Sequence, residues 1–229
     1  NATSSLGVDK DNLPLSLYDS LIREVPLSQV ILFTKTLHLD LAPSTPSLAG
    51  ARVEMVHLPD RERLLLHALQ PLEERYDDII IDSPPSLGLL TVNALVAARE
   101  VIIPVQCEYL SLEGLTHLLQ TIELVRRALN PRLRLFGLVM TMFDGRTNLS
   151  RQVVEEVRRH FPKRVFTTVI PRSVRLSEAP SYGEPISTYA PRSPGGLAYE
   201  ALAREIKERV EVLQRRRRVL ERYRSWKEV

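Results

Sequence analysis

Residues 101–141 read VIIPVQCEYLSLEGLTHLLQTIELVRRALNPRLRLFGLVMT: an aliphatic run, a long stretch of helical period, then a second aliphatic run. Val101–Val105 and Leu135–Thr141 have the length and the aliphatic content of strands. Between them Leu112, Leu115, Leu118, Leu119, Ile122, Val125 and Leu129 recur at helical spacing, one stripe for burial. Strand, helix and strand in that order are the signature of parallel strands joined by crossover helices. The strand runs are near-continuous Val, Ile and Leu rather than alternating apolar and polar, so helices are expected on both faces of a mainly parallel sheet.

The same alternation extends in both directions. Downstream, Leu149, Val153, Val157 and Phe161 form a second helical stripe that Pro162 ends, and Val165–Ile170 follows as a strand. Upstream, Ile79–Ile81 reads as a buried strand and Leu37–Leu41 as a further one. Leu15–Arg23, Ala49–His57 and Asp60–Arg75 read as helices. The proline-rich segment Pro171–Pro194 has little periodicity and is expected to be a long loop over the sheet. From Leu197 a final helix is marked by Leu202, Ile206, Val210 and Leu213 and continues toward Trp226. The fold class is therefore α/β. With 229 residues and 44% hydrophobic content the chain suffices for one substantial core.

Composition narrows the function. The lone Cys107 forms no internal disulfide, and no apolar run approaches the roughly 20 residues that cross a bilayer, so a cytoplasmic protein without stable membrane insertion is expected. NATSSLGVDK at the start has neither the basic opening nor the apolar middle of a signal peptide, and an upstream segment is expected to have been removed. Residues 208–229 carry eight Lys or Arg against four Glu, a surplus larger than the +3 of the whole chain. The block Arg215–Arg218 suits a polyanion or, equally, a solvated helix face. The chain thus divides into 1–207, the folded domain, and 208–229, a basic helical tail. His38, His57, His67, His117 and His160 are scattered without ligand spacing, which argues against a zinc site. Glu108 and Glu113 read as ordinary surface carboxylates.

The chemistry concentrates in YDDIIIDSPPSLGLLTVNAL, Tyr76–Leu95, where Asp82 follows an aliphatic run and precedes a Ser-Pro-Pro-Ser turn. Ligands of open parallel sheets bind at the carboxyl ends of strands. A carboxylate there can hold hydrated Mg²⁺ on nucleotide phosphates, or can simply cap the next helix. The segment closely resembles the Walker B and second switch region of ParA and Soj partition ATPases. Val101–Leu115, Gly137–Ser150 (GLVMTMFDGRTNLS) and Val169–Ile186 (VIPRSVRLSEAPSYGEPI) are similar to later motifs of that family in the same order, and NATSSLG is similar to the stretch after its first switch.

The resemblance implies a P-loop NTPase-like fold and an ATP-dependent switch. Such a protein forms a homodimer with ATP, binds nonspecific double-stranded DNA on the nucleoid and is stimulated by a ParB-like partner. It implies that Asp82 is catalytic and holds Mg²⁺ through water. It places the nucleotide base near Pro171, Arg172 and Ser173, with serine standing where the family has Asn, and it assigns DNA contact to Arg146 and Arg175. The family's glycine-rich loop with its two lysines, and a further Asp used in hydrolysis, are not found in this sequence. The expectation is that these residues by themselves lack the first strand, loop and helix, fold poorly and do not hydrolyse ATP. Two rivals carry weight. One is a MinD-like membrane-associated ATPase, disfavoured by the sparse apolar positions Val219, Leu220, Tyr223 and Trp226 of the tail; the other is a non-catalytic DNA-binding or scaffold module.

Overall fold

The structure, a computed structural model, describes residues 1–84, 86 and 88–227, with side chains as far as Arg215. The chain begins with helices α1 (Ala2–Ser5), α2 (Leu17–Ile22) and α3 (Leu27–Val30), then a short antiparallel hairpin of β1 (Leu32–Phe33) and β2 (Asp40–Leu41). Helices α4 (Ser47–Met55) and α5 (Leu64–Leu69), a 3₁₀ turn over Gln70–Leu72 and α6 (Leu89–Ala97) lead to the main sheet. There β3 (Glu100–Gln106), α7 (Leu110–Ala128), β4 (Arg134–Phe143), α8 (Asn148–His160) and β5 (Val165–Pro171) alternate as expected. Two short helices, α9 (Val174–Glu178) and α10 (Ile186–Tyr189), precede the long α11 (Pro194–Lys227).

The sheet order is β3-β4-β5 and both pairings are parallel. Successive residues of the strands point to opposite faces, and the core splits accordingly. Leu138, Met140 and Val165 pack with Ile103, Val105 and the stripes of α7 and α8, where Leu115, Ile122, Val125, Val153 and Val157 are buried. Val139, Phe166 and Ile170 face the other way, onto Leu202 with Ile206, Val210 and Leu213 of α11. Helices therefore lie on both faces of β4 and β5. On β3 the face carrying Ile103, Val105 and Cys107 is buried, and Ile102, Pro104 and Gln106 are exposed.

Four sequence expectations need correction. Ile79–Ile81 is neither a strand nor buried: no ladder among the described residues pairs it, and Ile80 is 91% exposed. An aliphatic run becomes a strand only where a neighbouring backbone takes up its N–H and C=O groups. The expected strand Leu37–Leu41 shrinks to Asp40–Leu41, because His38 adopts φ 60° in the turn. Asp60–Arg75 is broken, with Asp60 at φ 48° and Pro71 starting a tighter turn. Pro171–Pro194 is not a plain loop. Pro180 lies in the first turn of a 3₁₀ segment, Pro185 caps α10, and Pro194 opens α11; at helix starts proline's missing N–H costs nothing.

Helix α11 also covers the free edge of β5. Glu205 accepts the N–H groups of Thr167 (2.8 Å) and Thr168 (2.9 Å), while Arg209 donates to the Val165 carbonyl (3.0 Å) and lies over the Phe166 ring at 3.9 Å. Exposed strand edges invite pairing with other chains, and this one is occupied by side chains of its own molecule. Burial alone raises the Glu205 pKa, but the two N–H groups and Arg209 outweigh it and leave it below the usual carboxylate range. Stability from this group is therefore complete above about pH 4.5 and is lost as pH falls through the lowered folded value. Glu205→Gln is expected to cost about 1–3 kcal/mol near neutral pH. In urea unfolding the gap to the parent protein should close as the solution is acidified through the lowered folded-state value.

Close packing of β4 on β5 depends on Gly137, where an added Cβ would lie 2.5 Å from Phe166 Cε2 and 2.9 Å from the Arg164 carbonyl oxygen. That carbonyl accepts the N–H of Leu138, so a side chain here pushes the two strands apart. Gly137→Ala is expected to destabilise the protein by about 1–3 kcal/mol. Gly114→Ala, inside α7 with nothing within 4 Å, is expected to stabilise it by about 0.5–1 kcal/mol, both read from urea unfolding.

Candidate functional site

Because β3, β4 and β5 run parallel, the segments that leave their carboxyl ends emerge at one edge of the sheet. Glu108 lies just past β3, Asp144 just past β4 and Arg172 just past β5. The Arg172 N–H donates to the Phe143 carbonyl at 2.9 Å, tying the last two segments together. Its guanidinium reaches Glu108 across the sheet edge at 3.0 Å, pairing residues 64 apart in sequence. Glu108 is a surface carboxylate, as its sequence context suggested, and the parallel register brings it to Arg172. Pro171 closes β5, and Ser173 is the N-cap of α9 with extended backbone and no side-chain capping bond, which leaves its hydroxyl uncommitted to the helix.

At the end of β4 the ladder register slips between Met140 and Phe143, and Met142 adopts φ 54°. This left-handed conformation costs a non-glycine residue about 1–2 kcal/mol and marks where the strand gives way to the FDGRTN turn. In that turn Asp144 Oδ1 accepts the backbone N–H of Arg146 (3.0 Å). The guanidinium completes a fork with Nε to Oδ1 (3.0 Å) and Nη2 to Oδ2 (2.8 Å). Arg146, by side-chain and backbone hydrogen bonds and with Arg172 adding its charge, holds the Asp144 carboxyl down at about 2. Thr147 caps α8 by accepting the Ser150 N–H at 3.3 Å, which fixes the far side of the turn.

Arg175 lies on α9, beyond the end of β5, and donates to Glu178 at 3.0 Å. Glu178 also accepts the Tyr189 hydroxyl at 3.2 Å, and Tyr189 stacks on Tyr182 with ring centroids 5.0 Å apart. The loop carrying these groups is docked on α1: Gly7 and Gly183, both at positive φ, pass so closely that a Cβ on Gly183 would lie 2.7 Å from Gly7 Cα. Asp82 is exposed and accepts the N–H of Ala2 at 3.3 Å. The segment after it is held by Thr91, whose hydroxyl donates to the Ser86 carbonyl, with the Pro84 carbonyl at 3.3 Å. The geometry therefore joins Glu108, Asp144, Arg146 and Arg172 into one charged cluster. Asp82 and Arg175 have their own partners outside it.

Asp82 presents an exposed carboxylate. Mg²⁺ keeps most of its waters and needs only one or two protein carboxylates beside substrate phosphates, so an exposed carboxylate of this kind fits it. Among the described residues no three His, Cys, Asp or Glu side chains converge as a metal cage. No described helix is long and apolar enough to cross a membrane. Of the tail's basic block, Arg215 is exposed and the side chains of Arg216, Arg217 and Arg218 lie outside the described residues.

A family model described as an AAA domain (AAA_31) matches residues 1–135. The chromosome partitioning protein ParA of Myxococcus xanthus is 50% identical over 219 residues, covering 96% of this chain and 77% of that protein. The chain belongs to the ParA/Soj family of chromosome-partitioning ATPases. The sporulation initiation inhibitor protein Soj of Bacillus subtilis is 51% identical over 206 residues, 90% of this chain and 81% of that protein. The fold of this ParA/Soj family member also matches a crystal structure described as cobyrinic acid a,c-diamide synthase from Mycobacterium smegmatis with bound ADP and magnesium. That match has a TM-score of 0.74 and 37% identity, and covers 90% of this chain and 78% of the other.

If Asp82 serves a ligand rather than the fold, its removal should leave stability almost untouched. Asp82→Ala is expected to shift urea unfolding by no more than about 0.5 kcal/mol, since it is an exposed carboxylate with one weak hydrogen bond and a 4.0 Å ion pair to the exposed Asn1 amino group. In the full-length natural protein the same change should abolish ATP turnover, measured as phosphate release.

Proposed function

We propose that this protein is an ATP-dependent partition switch that dimerises with nucleotide, coats nonspecific double-stranded DNA and is released when a ParB-like partner stimulates hydrolysis. The observation that carries the reading is the placement of Arg146 and Arg175 beyond the paired ends of adjacent parallel strands, where Phe143 and Pro171 are register partners. Arg146 is 88% exposed on its turn. Two exposed guanidinium groups at one sheet edge offer paired donors to phosphate oxygens, contacts that hold a duplex without reading its sequence. The identity to ParA and Soj proteins over most of the chain supports the same conclusion.

In this reading the chain binds ATP and Mg²⁺, in keeping with the ADP and magnesium bound in the M. smegmatis structure. When bound, the ion would supply positive charge against the charge developing on the transferred phosphoryl group. Asp82 would hold the ion through water, and Pro171, Arg172 and Ser173 would border the base, with the Ser173 hydroxyl able to donate one hydrogen bond and accept two. The basic C-terminal residues, from 208 onward by the sequence division, add nonspecific attraction to DNA at the nucleoid. Apolar packing along α11 reaches Leu213, so this extension begins as a continuation of a helix docked on the core.

The test is DNA affinity of the ATP-bound full-length protein across a salt series. Replacing Arg146 and Arg175 by Ala should weaken binding to all sequences alike and make the salt dependence shallower by about 0.9 per lost contact. Deleting residues 215–229 should have the smaller effect. An unchanged slope in the double variant would refute the assignment.

A further inference from the structure

Both arginines proposed to meet DNA already hold a carboxylate in the free protein. Asp144 engages Arg146 through two parallel bonds, at 3.0 and 2.8 Å, the fork arrangement by which a guanidinium also grips a phosphate. The two partners differ in freedom. The Asp144 side chain is 21% exposed and pinned by the turn, whereas Arg146 is 88% exposed and ends at the surface. Glu178 is likewise held, by the Tyr189 hydroxyl, where it meets Arg175.

We propose that Asp144 is a built-in competitor for DNA phosphate at Arg146, with Glu178 in the same role at Arg175, so that each arginine is kept in phosphate-gripping form but its affinity is held down. The inference rests on the DNA-binding reading above. Exchanging a carboxylate for a phosphate replaces one charge-assisted fork by another, so the net gain is smaller than for a free guanidinium. The displaced carboxylate then draws a cation from solution, which offsets part of the counterion release from DNA and flattens the salt dependence. The Asp144 carboxyl sits at about 2 and stays charged throughout the physiological range, so competition by phosphate, not pH, opens the pair. A protein that must coat DNA and leave it again is served by contacts weakened in this way.

The experiment is a double-mutant cycle on the ATP-bound full-length protein, with a nonspecific duplex as the probe. Asp144→Asn removes the charge, and its amide oxygen still accepts the Arg146 N–H in the turn. It is expected to tighten binding about two- to fivefold. The salt slope should steepen by up to about 0.9. In an Arg146→Ala background Asp144→Asn should change nothing, because its effect passes through that arginine. Glu178→Gln with Arg175→Ala repeats the cycle on an exposed pair one helical turn apart, independent of the turn geometry. Equal tightening in both backgrounds would show a general field effect and overturn the proposal. So would Asp144→Asn and Glu178→Gln that leave affinity unchanged while the arginine variants weaken it, an outcome that keeps the DNA-binding reading. If neither arginine variant weakens DNA binding, that reading itself fails and the proposal falls with it.

Discussion

The parallel hydrogen bonding of β4 to both β3 and β5 is the constraint from which the rest of this protein follows. Parallel strands cannot be joined by tight turns, so each connection becomes a helix that crosses a sheet face and returns the chain to the same starting edge. The opposite edge then collects every strand's exit. Glu108, Asp144 and Arg172 meet there although they are far apart in sequence, and their loops are free of any duty to link neighbouring strands directly. Gly137 lets the sheet be this tight, since it alone leaves room for the Phe166 ring against β4.

Polar side chains extend that frame into the irregular parts. Asn93, almost wholly buried in α6, accepts the Leu65 N–H and donates to the Arg61 and Leu89 carbonyls, fastening α5 to α6. Asn130, just past α7, shares the two N–H groups of its amide among the carbonyls of Leu95, Val96 and Ala98 at the C-terminal end of α6. The segment following Asp82 thus leads into a helix fixed at both ends, while Asp82 itself stays exposed.

The charged cluster is close to neutral. Arg146 and Arg172 are matched by Asp144 and Glu108, and outside the cluster Arg175 is matched by Glu178, so the count of arginines overstates the pull on a polyanion. Exposed pairs of this kind add little to stability, and their meaning lies in what they hold ready and what they hold back. The fold cannot settle function by itself, since a structure described as a diamide synthase shares it at a TM-score of 0.74.

How much could be read in the sequence follows from the range of the interactions involved. The helices α7 and α8 and the strands β3, β4 and β5 were legible because apolar periodicity is a local record of which face is buried. The Asp82, Arg146 and Arg175 segments were legible as family motifs. Ile79–Ile81 has the same aliphatic character as the true strands, yet it lacks a partner among the described residues, and a strand is a property of two segments rather than one. The prolines of Pro171–Pro194 looked like loop residues because their role at helix starts depends on what the following residues pack against. The pairing of Glu108 with Arg172, the fork of Asp144 on Arg146 and the cover of Glu205 on β5 were decided by tertiary structure. Each joins groups by charge or hydrogen bonding across space, and such contacts leave no periodic trace along the chain.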